Sequence, residues 1–395
     1  MVSSVASPTE LAALAEQFLV RRDITFLNHG SYGACPRPVF ETYQSWQREL
    51  EGQPVEFLSR RIRGLLAEAR AAFADFLGTA ADNVVFMPNV TWAINAVARS
   101  LPLQPGDEVL ATDLEYGAVD RTWRYYCAQR GARYLNQPIA LPVTTAAAFV
   151  EQLWAGVTER TRVIAISHIT SGTALILPVA EVCRRAREQG IITVIDGAHA
   201  PGQIDLNLDD LGADFYGGNC HKWLCAPKGS GFLFARPERQ ELLEPLIISW
   251  GYQADNPGPS LFLDHYERTG THDPSAYLSV PAAIAFQRAH DWPRVRAACH
   301  LLAGKAREQI LALTGLPPIA PDSAEWWVQM CAIPLPPLDA QRLHDHLWDD
   351  YQVEIPVSSR NSQTFVRISI QAYNDQEDVN RLLEALTALL PPRSP

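Results

Sequence analysis

The chain has 395 residues, 47% of them hydrophobic, and its 33 basic and 44 acidic residues give a formal net charge of −11. This length and composition favour a globular protein of two domains and exclude a disordered or fibrous chain. Because the charges are spread without a basic patch, the sequence also excludes a nucleic-acid-binding surface.

The sequence predicts neither a secretion signal nor a membrane span. Residues 10–22 have the pattern of an amphipathic helix, and the longest interior stretch without formal charge, 163–180, contains Ser, His, Thr and Pro. Such a stretch is typical of a buried strand and loop. The seven cysteines are an odd number at irregular spacings, which favours reduced thiols. We therefore expect a cytoplasmic protein with no membrane partner.

Strands and helices alternate through the first two thirds of the chain. Such alternation predicts an α/β fold with a mostly parallel sheet, whose ligands bind in loops at the carboxyl ends of the strands. The predicted strands are 83–87, 108–111, 133–135, 163–167, 191–195 and 231–234, and the predicted helices between them include 91–99, 117–130 and 179–189.

The pattern changes to longer helices after Pro274. Helices are predicted at 282–290, 295–314 and 375–390, strands near 328–333 and 365–370, and the proline-rich segments 334–338 and 391–395 are predicted as a turn and a tail. The sequence thus predicts three parts: an N-terminal segment, 1–28, that packs with the small domain; a large domain, 29–273; and a small C-terminal domain, 274–395.

The first candidate for ligand binding is Asn89-Val90-Thr91, at the junction of a strand and a helix. Free backbone N–H groups at a helix N-terminus favour an anion, and the threonine hydroxyl adds a donor. A phosphate group fits this position. The alternative is that Thr91 only caps its helix, because many helices begin in this way.

Asp196 and Lys222 together carry the strongest chemical signal. Asp196 follows the apolar run 191–195, and Lys222 is one of three lysines in a chain with thirty arginines. A lysine can lose its proton and condense with an aldehyde, which a guanidinium cannot do. A carboxylate that keeps a proton on a pyridine nitrogen, with a lysine that holds the cofactor as a Schiff base, suits pyridoxal 5'-phosphate (PLP).

Each of these residues also has a structural interpretation. Asp196 alone fits a helix cap or a surface turn, and Lys222 alone fits a solvated charge. The other two lysines are weaker candidates for the cofactor-binding lysine, because Lys228 belongs to a predicted turn and Lys305 to a helix that is predicted to be surface-exposed.

Other chemistries lack their usual motifs. The chain has no GxGxxG, no Walker-type loop, no GxSxG and no HExxH, which argues against nicotinamide, nucleotide, acyl-serine and zinc-protease chemistry. His168, His199 and His221 lie on separate segments, so we predict no metal site. They are better explained as hydrogen-bonding groups around a ring.

The motifs around these residues resemble a known family. The strings are VIDGAHAPG at 194–202, DFYGGNCHKWL at 214–224, LNHGSYG at 27–33, EYGA at 115–118, SHI at 167–169 and SWG at 249–251, together with Asn89-Val90-Thr91. They are similar to isopenicillin N epimerase-type proteins of the class V aminotransferase family, which are fold type I PLP-dependent enzymes. The likeness covers most of the first 275 residues. It implies a large domain with a seven-stranded-type, mostly parallel sheet and a smaller C-terminal α+β domain.

The resemblance implies a role for each candidate around the cofactor. Lys222 would carry PLP, Asp196 would pair with the pyridinium nitrogen, and His199 would approach the phenolic oxygen. Tyr116 would stack on one face of the ring and Ala198 would pack on the other. The remaining implied cofactor contacts are Val90, Thr91 and His221 at the phosphate, Ser171 or Thr170 near the phenolic oxygen, and Thr271 at the phosphate from a neighbouring subunit of a homodimer.

The resemblance also implies an amino-acid substrate. Arg367 resembles the arginine that pairs with the substrate α-carboxylate, and a bidentate fork would orient the Cα–H bond. Without the family, a salt-bridged strand residue would explain Arg367. Asn28, His29 and Gly30, in the motif at 27–33, are predicted to contact the substrate.

Several reactions share this residue set. Lys222 is the natural base for the Cα proton, and Tyr116 is a candidate acid on the opposite face, although stacking explains it as well. Epimerisation of isopenicillin N or a similar substrate is the first hypothesis, and transamination or β-elimination is the alternative. Cysteine desulfurases of the family that the chain resembles take sulfur onto a cysteine upstream of the arginine that Arg367 resembles. Such a persulfide mechanism is disfavoured here because no cysteine follows Cys331. A second class, a catalytically silent protein that retains the fold, is disfavoured by the intact set of Lys222, Asp196 and Arg367.

Overall fold

The computed structural model describes residues 5–391, so the last part of the predicted tail, 392–395, lies outside the described residues. The described strands form one sheet of seven strands, one of three and one of two. In chain order they are β1 (Thr25–Phe26), β2 (Val84–Met87), β3 (Glu108–Thr112), β4 (Arg133–Gln137), β5 (Thr161–Ser167), β6 (Ile192–Gly197), β7 (Phe215–Asn219), β8 (Gly231–Ala235), β9 (Met330–Leu335), β10 (Val353–Glu354), β11 (Val357–Arg360) and β12 (Gln363–Ser369).

Helices cover both faces of the seven-stranded sheet and build much of the remaining chain. A π-helical turn, Phe57–Arg61, and two 3₁₀ turns, Ala81–Asn83 and Pro237–Leu242, lie between them. The α-helices are α1 (Pro8–Ala15), α2 (His29–Tyr32), α3 (Arg37–Gly52), α4 (Pro54–Glu56), α5 (Ile62–Leu77), α6 (Val90–Ser100), α7 (Gly117–Arg130), α8 (Ala146–Trp154), α9 (Val179–Glu188), α10 (Leu208–Leu211), α11 (Leu261–Glu267), α12 (Ser275–Leu278), α13 (Val280–Ala289), α14 (Trp292–Thr314), α15 (Ala340–Asp349) and α16 (Gln376–Leu389). No helix within 5–391 is long and apolar enough to cross a bilayer.

The large sheet has the strand order β2-β8-β7-β6-β5-β3-β4. β8 pairs antiparallel with both of its neighbours, and the other pairs are parallel. The mostly parallel seven-stranded sheet predicted from the sequence is therefore confirmed. Every residue of β2, β3, β7 and β8 is buried, because helices cover both faces. This burial explains the apolar runs of β2 and β8.

The C-terminal part is built around the antiparallel sheet β11-β12-β9, with α14 packed against β9. β1 pairs with β10, and Asn28 forms an isolated bridge with Ser369. These contacts join the N-terminal segment to the C-terminal sheet. The domain boundaries at 28/29 and 273/274 stay predictions.

β7 is the strand of the large sheet that the sequence pattern does not predict. Its centre is Gly217-Gly218, and glycine is a weak strand former. A Cβ at Gly217 would lie 3.1 Å from Val90 Cγ2 and 3.0 Å from Ala93 Cβ, and one at Gly218 would lie 2.3 Å from Phe232 Cε1. The two glycines therefore allow α6 and the side chain of Phe232 to pack directly on the strand.

The first helix is shorter than the predicted 10–22. Helix α1 starts at a capping box of Ser7 and Glu10 and ends at Ala15. Phe18 then pairs with Pro36 in an isolated bridge and is buried in the core. This bridge needs extended backbone, so the amphipathic pattern beyond Ala15 reflects a surface loop that buries Phe18.

Candidate active site

A cavity of about 220 Å³ lies at the carboxyl edge of the large sheet. The segments that follow β2, β3, β5, β6 and β7 line it. These strands run in the same direction, so their following loops meet at one edge, as expected for ligand sites in parallel sheets. Nine of the predicted site residues line the cavity: Val90, Thr91, Tyr116, Ser171, Asp196, Ala198, His199, His221 and Lys222.

Lys222 extends into the cavity from the turn after β7. Its Nζ lies 3.2 Å from Nε2 of His199. Burial, and then the positive charge of Arg367, lower the pKa of Lys222 to about 7, while the charge of Asp196 opposes this effect. A large fraction of the amine is therefore uncharged at neutral pH and can act as a nucleophile or a base.

The Asp196 carboxylate lies at the carboxyl end of β6, the fourth strand of the sheet. Its Oδ1 accepts a hydrogen bond from the backbone N–H of Ala198 at 2.8 Å. Its Oδ2 accepts none from the part of the chain that the structure describes. Burial raises the pKa of Asp196, so a ligand with a positively charged N–H at this point would favour the ionised carboxylate.

The start of α6 differs from the expectation of free backbone N–H groups. Oδ1 of Asn89 accepts from the N–H groups of Thr91 and Trp92 at 3.0 and 3.3 Å, and Oδ1 of Asn219 accepts from Val90 N at 2.9 Å. Asn89 is the helix cap, so the alternative that Thr91 caps the helix is wrong. The hydroxyl of Thr91 remains a donor at the cavity wall.

His221 is fixed by the loop that follows it. Its Nδ1 lies 3.0 Å from the carbonyl oxygen of Ser230, and a carbonyl only accepts, so Nδ1 carries a hydrogen. Burial lowers the pKa of His221 to about 4, which leaves Nε2 unprotonated at neutral pH. A nearby anion would raise this pKa. Contact of His221 with a phosphate stays a prediction.

Tyr116 and Ala198 both line the cavity. Tyr116 immediately precedes α7 and is partly exposed at the mouth, whereas Ala198 is buried after β6. Their stacking roles stay predictions.

Arg367 lies on β12 and reaches the cavity wall from the C-terminal part. It is 5% exposed, and its guanidinium donates to Ser171 O at 2.7 Å, to Ser31 Oγ at 3.0 Å and to Asn28 Oδ1 at 3.2 Å. Its Nε is buried and has no partner within the described residues. The partners are all neutral, so the predicted salt-bridged alternative does not apply. A buried cation that lacks a counter-ion favours an anionic ligand.

Three predicted substrate contacts lie behind the cavity wall. Asn28 holds Arg367, and its Nδ2 donates to Oε1 of Glu354 at 2.7 Å. His29 is fully buried, with Nδ1 2.9 Å from the hydroxyl of Tyr373 and Nε2 3.0 Å from Lys222 O. A Cβ at Gly30 would lie 2.8 Å from Met330 Sδ. Direct substrate contact by His29 and Gly30 does not fit this placement, because both are packed against protein.

Thr271 is exposed and lies away from the cavity of its own chain. It lines two other clefts, together with Gly270 and His272. The prediction that a neighbouring subunit supplies Thr271 is compatible with this surface position and stays a prediction.

Glu115 is a site residue to which the sequence assigns no role. Its carboxylate accepts from Ser167 N and Oγ at 2.8 and 2.6 Å and from Thr112 Oγ1 at 2.6 Å. It thereby ties the loop that carries Tyr116 to the end of β5. Burial foremost raises the pKa of Glu115 to about 7, with a smaller contribution from Asp196. The only feature of the sequence that could have indicated a role for Glu115 is its position directly before Tyr116.

Comparison with known proteins agrees with this geometry. Residues 27–382 match the model of the family described as aminotransferase class-V. The chain is 37% identical to isopenicillin N epimerase of Amycolatopsis lactamdurans, over 96% of this chain and 99% of that protein, and 36% identical to that of Streptomyces clavuligerus, over 94% and 96%. A putative L-cysteine desulfhydrase of Oryza sativa subsp. japonica is 29% identical, over 98% of this chain and 87% of that protein.

A solved structure shows the same fold. The apo cysteine desulfurase of Thermococcus onnurineus NA1 superposes with a TM-score of 0.82, at 20% identity, over 98% of this chain and 99% of that chain. The predicted fold class, the fold type I architecture of PLP-dependent transferases, is confirmed. The family model spans most of the chain and the relatives match over nearly their full length, so the chain belongs to the class V aminotransferase family.

Proposed function

We propose that the protein is a PLP-dependent amino-acid epimerase that acts at the α-carbon of isopenicillin N or a similar substrate. One observation carries this proposal: the amine of Lys222, the buried carboxylate of Asp196 and the uncompensated guanidinium of Arg367 all surround or adjoin one cavity. The identity with two isopenicillin N epimerases supports the choice of reaction.

The residues of the cavity fit PLP. Lys222 offers an amine for the aldehyde, Asp196 offers the free Oδ2 for a protonated ring nitrogen, and Thr91 offers a hydroxyl for the phosphate. When bound, PLP supplies an electron sink that acidifies the Cα–H bond of an attached amino acid. The half-exposed Tyr116 and the buried Ala198 would cover the ring.

Lys222 is proposed to take the proton from the substrate Cα on one face. Its pKa of about 7 is suited to a general base at neutral pH. Asp196 would keep the ring nitrogen protonated, because a buried carboxylate favours a cation beside it. Tyr116 is the candidate for the proton on the opposite face, since it stands at the mouth of the same cavity.

Arg367 is proposed to hold the substrate α-carboxylate. Its planar fork can form two parallel hydrogen bonds, which lysine cannot reproduce. We expect Arg367→Lys to raise KM about 10–100-fold, the equivalent of one or two charge-assisted hydrogen bonds. The measurement is the steady-state rate against substrate concentration. The exposed Arg288→Lys on α13 is the matched control, and an unchanged KM for Arg367→Lys would exclude this role.

β-Elimination is the second candidate. The relative from Oryza sativa is named a putative L-cysteine desulfhydrase, and the same amine and carboxylate serve that reaction as well. Transamination needs the same set, with the proton delivered to the cofactor in place of Cα. Because no cysteine follows Cys331, a lyase would have to release sulfur without an enzymic persulfide.

A heavy-water assay separates these reactions. The purified holoenzyme is incubated with L-amino acids, including isopenicillin N, and the products are followed by NMR. The proposal predicts deuterium at Cα and an epimerised product. A keto acid as the main product would indicate an aminotransferase, and pyruvate with ammonia would indicate a lyase. Absence of exchange and of any spectral change with every substrate would contradict all three.

We further propose a cytoplasmic homodimer whose subunits share their sites. Large apolar side chains lie exposed around the cavity mouth and the clefts beside Thr271, among them Tyr32 at 74% and Trp250 at 79% exposure. Exposed apolar patches of this kind favour a protein interface. All seven cysteines are free thiols, which supports a reducing compartment.

A further inference from the structure

The indole of Trp223 makes a hydrogen bond to the histidine that faces the reactive lysine. Trp223 is fully buried, and its Nε1 lies 3.2 Å from Nδ1 of His199. An indole N–H can only donate, so Nδ1 of His199 must accept. The contact therefore determines which ring nitrogen of His199 lacks a hydrogen.

The other nitrogen of His199 is then a donor. Burial holds the pKa of His199 well below its ordinary value, and the positive charges of Lys222 and Arg367 act in the same direction. The ring is therefore neutral, and its hydrogen is on Nε2. This nitrogen lies 3.2 Å from Nζ of Lys222, so the amine must accept through its lone pair.

We propose that Trp223 is a positioning residue that fixes His199 as the Nε2–H tautomer, so that His199 donates to whatever atom occupies the place of the Lys222 amine. In the cofactor-free protein that atom is the amine itself, and the arrangement disfavours the ammonium form, because two donors would then face each other. With cofactor bound, the same N–H is available to the phenolic oxygen; this second part rests on the proposed function, whereas the first does not.

The surroundings keep the indole in one orientation. The ring of His29 packs against it with centroids 4.9 Å apart, and Gln287 Nε2 donates to the carbonyl oxygen of Trp223 at 2.8 Å. A Cβ at Gly202 would lie 2.4 Å from that same oxygen, so glycine is required there. His199 is held in turn by Gln203 Nε2, which donates to its carbonyl at 2.8 Å.

Trp223→Phe removes the N–H while keeping an aromatic side chain. His199 is then free to place its hydrogen on Nδ1 and to accept from the ammonium of Lys222 at Nε2. We expect the midpoint of the Lys222 titration to move up by about 0.5–1 pH unit, the equivalent of one ordinary hydrogen bond. The groups that act on Lys222 itself, Arg367 and Asp196, are unchanged.

Two measurements on the cofactor-free protein test this proposal. The first is ¹⁵N NMR of the histidine rings, with the His199 signals assigned by their loss in His199→Gln. The proposal predicts the Nε2–H tautomer in the wild-type protein, and an Nδ1–H tautomer would overturn it. Because this experiment uses the wild-type protein, its outcome does not depend on whether any Trp223 variant folds.

The second measurement is reductive methylation with formaldehyde and borohydride between pH 5 and 10, with Lys222 followed by peptide mass spectrometry. The rate at Lys222 should reach half its maximum near pH 7 in the wild-type protein and at higher pH in Trp223→Phe. The control is Trp123→Phe, since Trp123 is equally buried but its Nε1 has no partner in the described chain. An unshifted midpoint in folded Trp223→Phe would overturn the proposal. The expected tautomer and midpoint shift in a wild-type protein that shows no epimerase activity when loaded with cofactor would count against the proposed function alone.

Discussion

Lys222→Ala is expected to lose at least about 10²–10⁴-fold in the rate of Cα proton exchange, the contribution of one placed proton-transfer group. The loss of the covalent attachment to the cofactor adds to this effect. The amine is the group that reaches the cavity at the carboxyl edge of the sheet, beside Asp196 and His199. The measurement is deuterium incorporation at Cα by NMR, together with the absorbance of the protein-bound cofactor.

Lys305→Ala is the matched control. Lys305 is exposed on α14, so its removal should leave both the exchange rate and the cofactor absorbance unchanged. Exchange by Lys222→Ala within tenfold of the wild-type rate would exclude Lys222 as the group that transfers the Cα proton. Retention of cofactor absorbance alone would not exclude this role, because Asp196 and Thr91 can still bind PLP without a covalent bond.

Asp196→Asn is expected to lower the exchange rate by about 10²–10³-fold, the usual loss when one preorganised electrostatic group is removed. The amide is similar in size but has no negative charge, so it cannot keep the ring nitrogen protonated. Lys222 should still form its bond to the aldehyde, because the amine remains in place. The diagnostic result is therefore slow exchange in a protein that carries its cofactor.

Asp255→Asn, an exposed change of the same kind, controls for the loss of one negative charge. An exchange rate for Asp196→Asn equal to that of this control would show that the carboxylate does not act on the ring nitrogen. Failure of Asp196→Asn to fold would be visible by circular dichroism, and Asp196→Glu then provides a charged variant that tests the position of the carboxylate.

Much of the fold follows from local patterns in the sequence. The predicted strands match β3, β5 and β6 to within two residues, and α7 has the predicted bounds of 117 and 130. Buried strands of a parallel sheet are apolar along their whole length, so they can be recognised in the sequence. β7 cannot be recognised in this way. Its glycines allow Phe232 and α6 to pack closely on the strand, and glycine does not itself favour a strand.

The features of the site also differ in whether the sequence could predict them. Asp196 and Lys222 could be predicted because each follows a recognisable element and has an unusual residue type. The neutral surroundings of Arg367 could not, since Asn28, Ser31 and Ser171 are far from it in sequence. The hydrogen bond from Val90 N to Asn219 and the contact of Trp223 with His199 likewise depend on packing between distant segments.

The amine of Lys222 is proposed to hold the aldehyde of PLP in a covalent bond. Purified protein supplied with this vitamer should be reduced with borohydride, which makes the carbon–nitrogen bond permanent, and then digested for peptide mass spectrometry. We expect the added mass of the reduced pyridoxyl phosphate group on the peptide that contains Lys222, and not on peptides with Lys228 or Lys305. An unmodified Lys222 in fully folded protein, or modification of the other two lysines alone, would contradict this proposal.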